Sequence, residues 1–146
     1  MLFSPINTFL SNLKTLGFDQ TIHCKGLYTN ISLQPDHFIL NTRSFEVTSH
    51  FLFRCLDKAR TRKDFKTCWP PTTKQRSKEY TVISIRWLQE LKETHPLLTF
   101  IPIRKSYFED CHSQMMNRIM MVFSTLVLET VLCRSTQSKI IMAKYK

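Results

Sequence analysis

Glycine is almost missing from this chain, with two residues, Gly17 and Gly26, in 146. Glycine lets a backbone turn through left-handed conformations or close on a phosphate, so its scarcity disfavours tight hairpins and phosphate-cradling loops and favours helices. Also absent are the dinucleotide fingerprint GxGxxG, the P-loop, HExxH and GxSxG. No alternation of apolar and polar residues persists long enough for a half-buried strand. The five cysteines, Cys24, Cys55, Cys68, Cys111 and Cys133, include no CxxC pair. They read as reduced intracellular thiols, small and buried. His23-Cys24 and Cys111-His112 come nearest to a metal constellation, but adjacent ligands suit tetrahedral zinc poorly, and no metal or other cofactor is expected. The N-terminal MLFSPINTFL lacks the basic region of a secretory signal. The longest strongly apolar run, IMMVFSTLVL at residues 119–128, falls short of the roughly 20 residues that span a bilayer and reads as a core helix.

What is present is an ordinary globular balance, 42% hydrophobic and 22% charged residues, at a length suited to one core. Ser4 and Pro5 mark a helix start, and Ile6, Phe9, Leu10 and Leu13 share a face that ends at Gly17, giving a first helix over about residues 5–16. Leu16 serves as C-cap, Gly17 takes the left-handed position and Phe18 folds back on Leu13. Asn41 caps a second helix, with Leu40 and Phe45 as a hydrophobic staple and with Phe51, Leu52, Cys55 and Leu56 at helical spacing. His50 on that helix reads as a hydrogen-bonded or solvated flank residue. A short helix is predicted over residues 65–69, ended by Pro70-Pro71. Ser77 is the expected cap of a third long helix, where Tyr80, Ile83, Trp87, Leu88 and Leu91 line up before His95-Pro96. The last helix is expected from near Tyr107 or Ser113 to about Cys133, apolar on almost every face and therefore central or partnered. The predicted fold class is all-α, four main helices plus short ones, with one domain over residues 1–133 and a disordered basic tail over 134–146.

Catalysis needs an activated group, an activating partner and something to stabilise developing charge. The sequence offers no such set, so no enzyme and no small-molecule substrate are expected. Cys68, beside Trp69 and near Lys66, is the one nucleophile worth weighing, and it has no assigned base; a buried thiol is the expectation.

Charge is what stands out. Lysine and arginine number 21 against 11 acidic residues, a formal net charge of +10. Between Arg54 and Lys78 nine residues are basic and two acidic, most of the chain's excess. Lys58, Arg60, Arg62, Lys63, Lys66, Lys74, Arg76 and Lys78 form the candidate patch for an acidic partner. The tail adds Arg134, Lys139, Lys144 and Lys146. The aromatic interleaving of RNA-binding sheets is missing, which leaves non-specific phosphate contact with nucleic acid as the alternative reading, and no membrane partner is expected.

The patch surrounds DFKTCWPP, at residues 64–71. The stretch FILNTRSFEVTSHFLFRCLDKARTRKDFKTCWPP, with its Phe-Leu-Phe helix and Cys-Trp-Pro corner, resembles the N-terminal domain of the sixth subunit of the augmin-like complex. FLSNLKTLGFD upstream and EYTVISIRWLQELKE and RKSYFEDCHSQMMNRIMMVFSTLV downstream extend the likeness over about residues 8–133. The resemblance implies a calponin-homology-like helical domain. It further implies membership of a complex that docks on spindle microtubules and recruits γ-tubulin for branched nucleation, in cytoplasm and cytoskeleton, at the spindle or a microtubule-organising centre. Microtubules and other subunits are the implied partners, and a nuclear pool is compatible with them. By the same resemblance Phe51, Leu52, Phe53, Phe65, Trp69, Pro70 and Trp87 are fold residues. The family continues into long coiled coils, whereas this chain stops soon after its last expected helix without heptads, as a fragment, a truncated product or a head that has lost the assembly arm.

Overall fold

Helix ends in this protein are written in short polar motifs. In the computed structural model, which describes residues 4–24, 27, 31–111 and 113–144, α1 spans Pro5–Leu16, with the Ser4 hydroxyl accepting the Asn7 N–H at 3.3 Å and Pro5 in the first turn. It ends as a Schellman motif: Gly17 sits at φ +90°, its N–H donates to Lys14 O at 3.1 Å, and the Phe18 N–H donates to Leu13 O at 2.9 Å. α2 is a single turn, Gln20–His23.

α3 spans Thr42–Leu56 and opens with a reciprocal box: Asn41 Oδ1 accepts the Ser44 N–H at 2.9 Å, and Ser44 Oγ accepts the Asn41 N–H at 2.8 Å. Leu40 and Phe45, the expected staple, are both buried. α3 is the most enclosed helix, with Ser44, Glu46, Thr48 and Ser49 buried beside Phe45, Val47, Phe51, Leu52 and Phe53. Its polar residues satisfy themselves locally or across the core; Thr48 Oγ1 donates to Ser44 O at 2.6 Å, and the Ser49 and Tyr80 hydroxyls hydrogen-bond at 2.6 Å. α3 shares the centre with the last helix, which packs against α1 and α3 as the sequence leads one to expect.

Asp57 ends α3 and starts the next helix, its carboxylate accepting the Arg60 N–H at 3.0 Å. α4 accordingly spans Lys58–Asp64, ahead of the short helix expected at residues 65–69, which are turns leading to a cis Trp69–Pro70 bond. α5 spans Lys74–Thr94 and is capped by Thr73, which accepts the Arg76 N–H at 3.1 Å, and not by Ser77. The Ser77 hydroxyl instead donates to the buried Glu46 Oε2 at 2.6 Å. A 3-10 turn at Pro96–Leu98 follows. α6, Lys105–Glu109, is separate from α7, which spans Gln114–Lys144. Ser113 Oγ accepts the Met116 N–H at 3.2 Å, so the second of the two expected starts is the one used.

The described residues form an all-α domain with four long helices and no strand. Phe9, Leu10 and Leu13 of α1 meet Met116, Ile119, Met120 and Phe123 of α7 in the core. Asn12 ties the two helices, donating to Ser124 Oγ at 3.0 Å and Thr125 Oγ1 at 3.1 Å. α7 passes Cys133, where the sequence reading ends it, and stays helical to Lys144. Its stretch Gln114–Ile140 is long and apolar enough to cross a bilayer by length and composition. Met116, Ile119, Met120, Phe123, Leu126 and Val127 are nevertheless buried in this domain, as expected of a core helix. Beyond Val131 the described side chains are exposed, and Arg134 reaches back to donate to Cys55 O at 3.0 Å and Leu56 O at 2.6 Å, at the end of α3. Gly26, His112 and Lys146, and the side chain of Lys144, lie outside the described residues.

Candidate interaction surface

Phe65 carries the corner. It is 1% exposed, its ring 4.6 Å from Tyr80 and 5.5 Å from Phe53, which itself stacks on Trp87 at 4.4 Å. Phe51, Leu52, Phe53, Phe65 and Trp87 are all buried, in keeping with fold roles. Trp69 differs. It is half-buried and lies flat on His50, ring centroids 3.6 Å apart and planes within 3°. Trp69 packs at the edge of the core that Phe65 fills, and His50 is a stacked wall rather than a solvated flank residue. Burial, reinforced by the nearby charges of Arg54 and His23, pulls the His50 pKa down to about 3, so the ring is neutral at physiological pH.

Pro70 is exposed and Pro71 buried. Two arginines fasten this turn: Arg43 Nη1 donates to Pro71 O at 3.0 Å and Arg76 Nη1 to Pro70 O at 3.5 Å. Arg43 also pairs with Glu46 at 3.2 Å. Burial raises the Glu46 carboxyl above its usual range, against the opposing Ser77 hydrogen bond and Arg43 charge. Cys68 is fully buried, and burial together with Glu79 pushes its pKa up to about 11, so at neutral pH it is a thiol and not a thiolate. Among the described residues no three histidine, cysteine or acidic side chains gather to hold a metal ion.

The eight cations marked in the sequence do not share one surface. Arg60 is committed: Nε pairs with Asp64 at 2.9 Å, Nη2 with Glu90 at 2.6 Å, and the guanidinium lies 4.1 Å above the Trp87 ring. Lys63 borders the same acid-bearing hollow against α5, beside Asp64, Arg86 and Glu90. Lys58, Arg62 and Lys66 face the other way, joined by Arg54 from α3, around a recess of about 340 Å³ walled by Phe65, Trp69 and His50. Lys74, Arg76 and Lys78 are exposed at the start of α5 and do not line that recess. Arg54 was legible as the i−4 neighbour of Lys58, had the break at Asp57 not interrupted the helix. The His50–Trp69 stack, formed across 19 positions of chain, has no local signature.

The arrangement places exposed cations and a half-buried aromatic stack around the proline corner. The human protein HAUS augmin-like complex subunit 6 is 32% identical over 83 residues, which make up 54% of this chain and 9% of that protein. The chain thus corresponds to a small part of that relative's length. The family model described as HAUS augmin-like complex subunit 6 N-terminus matches residues 9–145, from the first buried turn of α1 to the end of α7, and the chain belongs to that family.

Proposed function

We propose that this chain is a non-enzymatic, calponin-homology-like interaction head of an augmin-like assembly. In this reading its cationic corner meets microtubules or sister subunits and serves spindle microtubule organisation, including γ-tubulin-dependent branched nucleation. Family membership across residues 9–145 is the observation that carries the reading. The charge supports it in sign, because tubulin's exposed surface is acidic and the chain carries +10. Lys58, Arg62 and Lys66 are the main contacts, with Lys74, Arg76 and Lys78 as a second bank, whereas Arg60 acts within the fold. The place of action is cytoplasmic and cytoskeletal, at the spindle or a microtubule-organising centre. No cofactor and no covalent step are involved.

Co-sedimentation with stabilised microtubules at rising salt tests this. Saturable pelleting that persists at about 0.15 M salt in the presence of competing RNA is expected, and it is diagnostic because non-specific attraction between exposed charges more than roughly 8 Å apart is largely screened there. Pelleting abolished by RNA would replace the reading with non-specific phosphate binding.

A further inference from the structure

The recess beside Trp69 has a chemistry that a flat basic patch lacks. Arg54, Lys58, Arg62 and Lys66 are exposed at its rim, and no acidic side chain lines it. None of the four forms an ion pair among the described residues. The two acids of this segment are used elsewhere, Asp57 as the cap of α4 and Asp64 against Arg60. The inner wall is aromatic, and because His50 is neutral it adds no charge of its own. At about 340 Å³ the recess is at the small end of ligand clefts, which run from roughly 300 to 1,000 Å³, and it suits one large side chain with its neighbours.

We propose that this recess docks an acidic peptide segment, its carboxylates on Arg54, Lys58, Arg62 and Lys66 and one aromatic or large aliphatic side chain against the half-exposed Trp69. The proposal rests on the interaction reading above and deepens it by naming the site and the kind of ligand. Carboxylates rather than neutral groups follow from four unpaired cations without an internal counter-charge. The His50–Trp69 stack, at 3.6 Å, covers one indole face that a base would use, which favours a peptide over a nucleic acid.

The test uses fluorescence anisotropy of the full chain with two labelled peptides, four glutamates around one phenylalanine and the same peptide with alanine at the centre, at about 0.15 M salt. The phenylalanine peptide is expected to bind saturably and more tightly. The Lys58→Glu/Arg62→Glu double variant should lose roughly tenfold or more in affinity, while Lys74→Glu/Lys78→Glu stays within about threefold, circular dichroism and melting showing both folded. Equal affinity for the two peptides, equal loss in the two double variants, or no binding by the parent chain overturns the proposal. Tighter binding of an RNA homopolymer with the same dependence on Lys58 and Arg62 also overturns it, in favour of phosphate recognition. Microtubule pelleting of the same variants reads the broader function separately. Peptide binding lost with pelleting retained supports the recess but removes it from the microtubule contact. Peptide binding intact in a parent that never pellets keeps the recess and fails the microtubule reading.

Discussion

The guanidinium of Arg60 lies 4.1 Å above the indole of Trp87, a ring only 3% exposed. A residue that sequence places in a binding patch is thereby part of the packing between α4 and α5. Its pairs with Asp64 and Glu90 hold it there. Replacing Arg60 with alanine removes the ring contact and uncovers apolar surface, so urea denaturation should show a loss of about 1–2 kcal/mol. Microtubule pelleting by the folded variant should change little.

His50 sets the acid response of the corner. Its folded pKa, about 3, lies below the ordinary 6.5. The unfolded chain therefore takes up this proton first, so the group's stability contribution is intact above about pH 6.5 and declines as pH falls toward 3. Glu46 runs the other way: with its pKa raised above 4.5, its contribution is full below that value and declines as pH rises through the folded pKa. His50→Phe keeps a ring against Trp69 and removes the titration. Urea midpoints at pH 7 and pH 5 should converge in this variant relative to the parent, and an unchanged difference would contradict the assignment.

Gly17 stands at φ +90° with nothing within 4 Å of an added Cβ. The cost of Gly17→Ala is then purely conformational, about 1 kcal/mol by thermal or chemical denaturation, and Gly17→Asn should cost less.

Arg134 belongs to the stretch expected to be a disordered tail, yet it donates to the Cys55 and Leu56 carbonyls at the C-terminus of α3. A cation there satisfies orphan carbonyls and meets the negative end of the helix. Arg134→Ala should destabilise by about 1–2 kcal/mol, and Lys139→Ala, exposed further along α7, by less than about 0.5 kcal/mol. Paired denaturation curves separate the two.

The parts of the fold legible in the sequence are those whose signals are local. Ser4, Gly17 and Asn41 bond within a few residues of themselves, so the bounds of α1 and the start of α3 follow from spacing and cap chemistry alone. Ser77 fails as a cap because its hydroxyl is engaged by Glu46, 31 positions away. Asp57 conceals α4 by ending one helix and starting another with the same residue. The end of α7 is misplaced because its final turns are exposed and show little apolar periodicity. The charge run is plain in sequence, and the Phe-Leu-Phe helix with its Cys-Trp-Pro corner carries the family resemblance. The division of the cations is not plain, since it depends on Glu90 reaching Arg60 across 30 positions and on His50 meeting Trp69.

Under the proposed function the unpaired cations of the corner, rather than net charge alone, make the microtubule contact. Co-sedimentation of the parent chain against Lys58→Glu/Arg62→Glu/Lys66→Glu, at about 0.15 M salt with RNA competitor, tests it most directly, with Arg60→Ala as the folded control. Saturable pelleting by the parent and the control is expected, with a roughly tenfold or greater loss of affinity in the triple variant. A folded triple variant that pellets as well as the parent would contradict it.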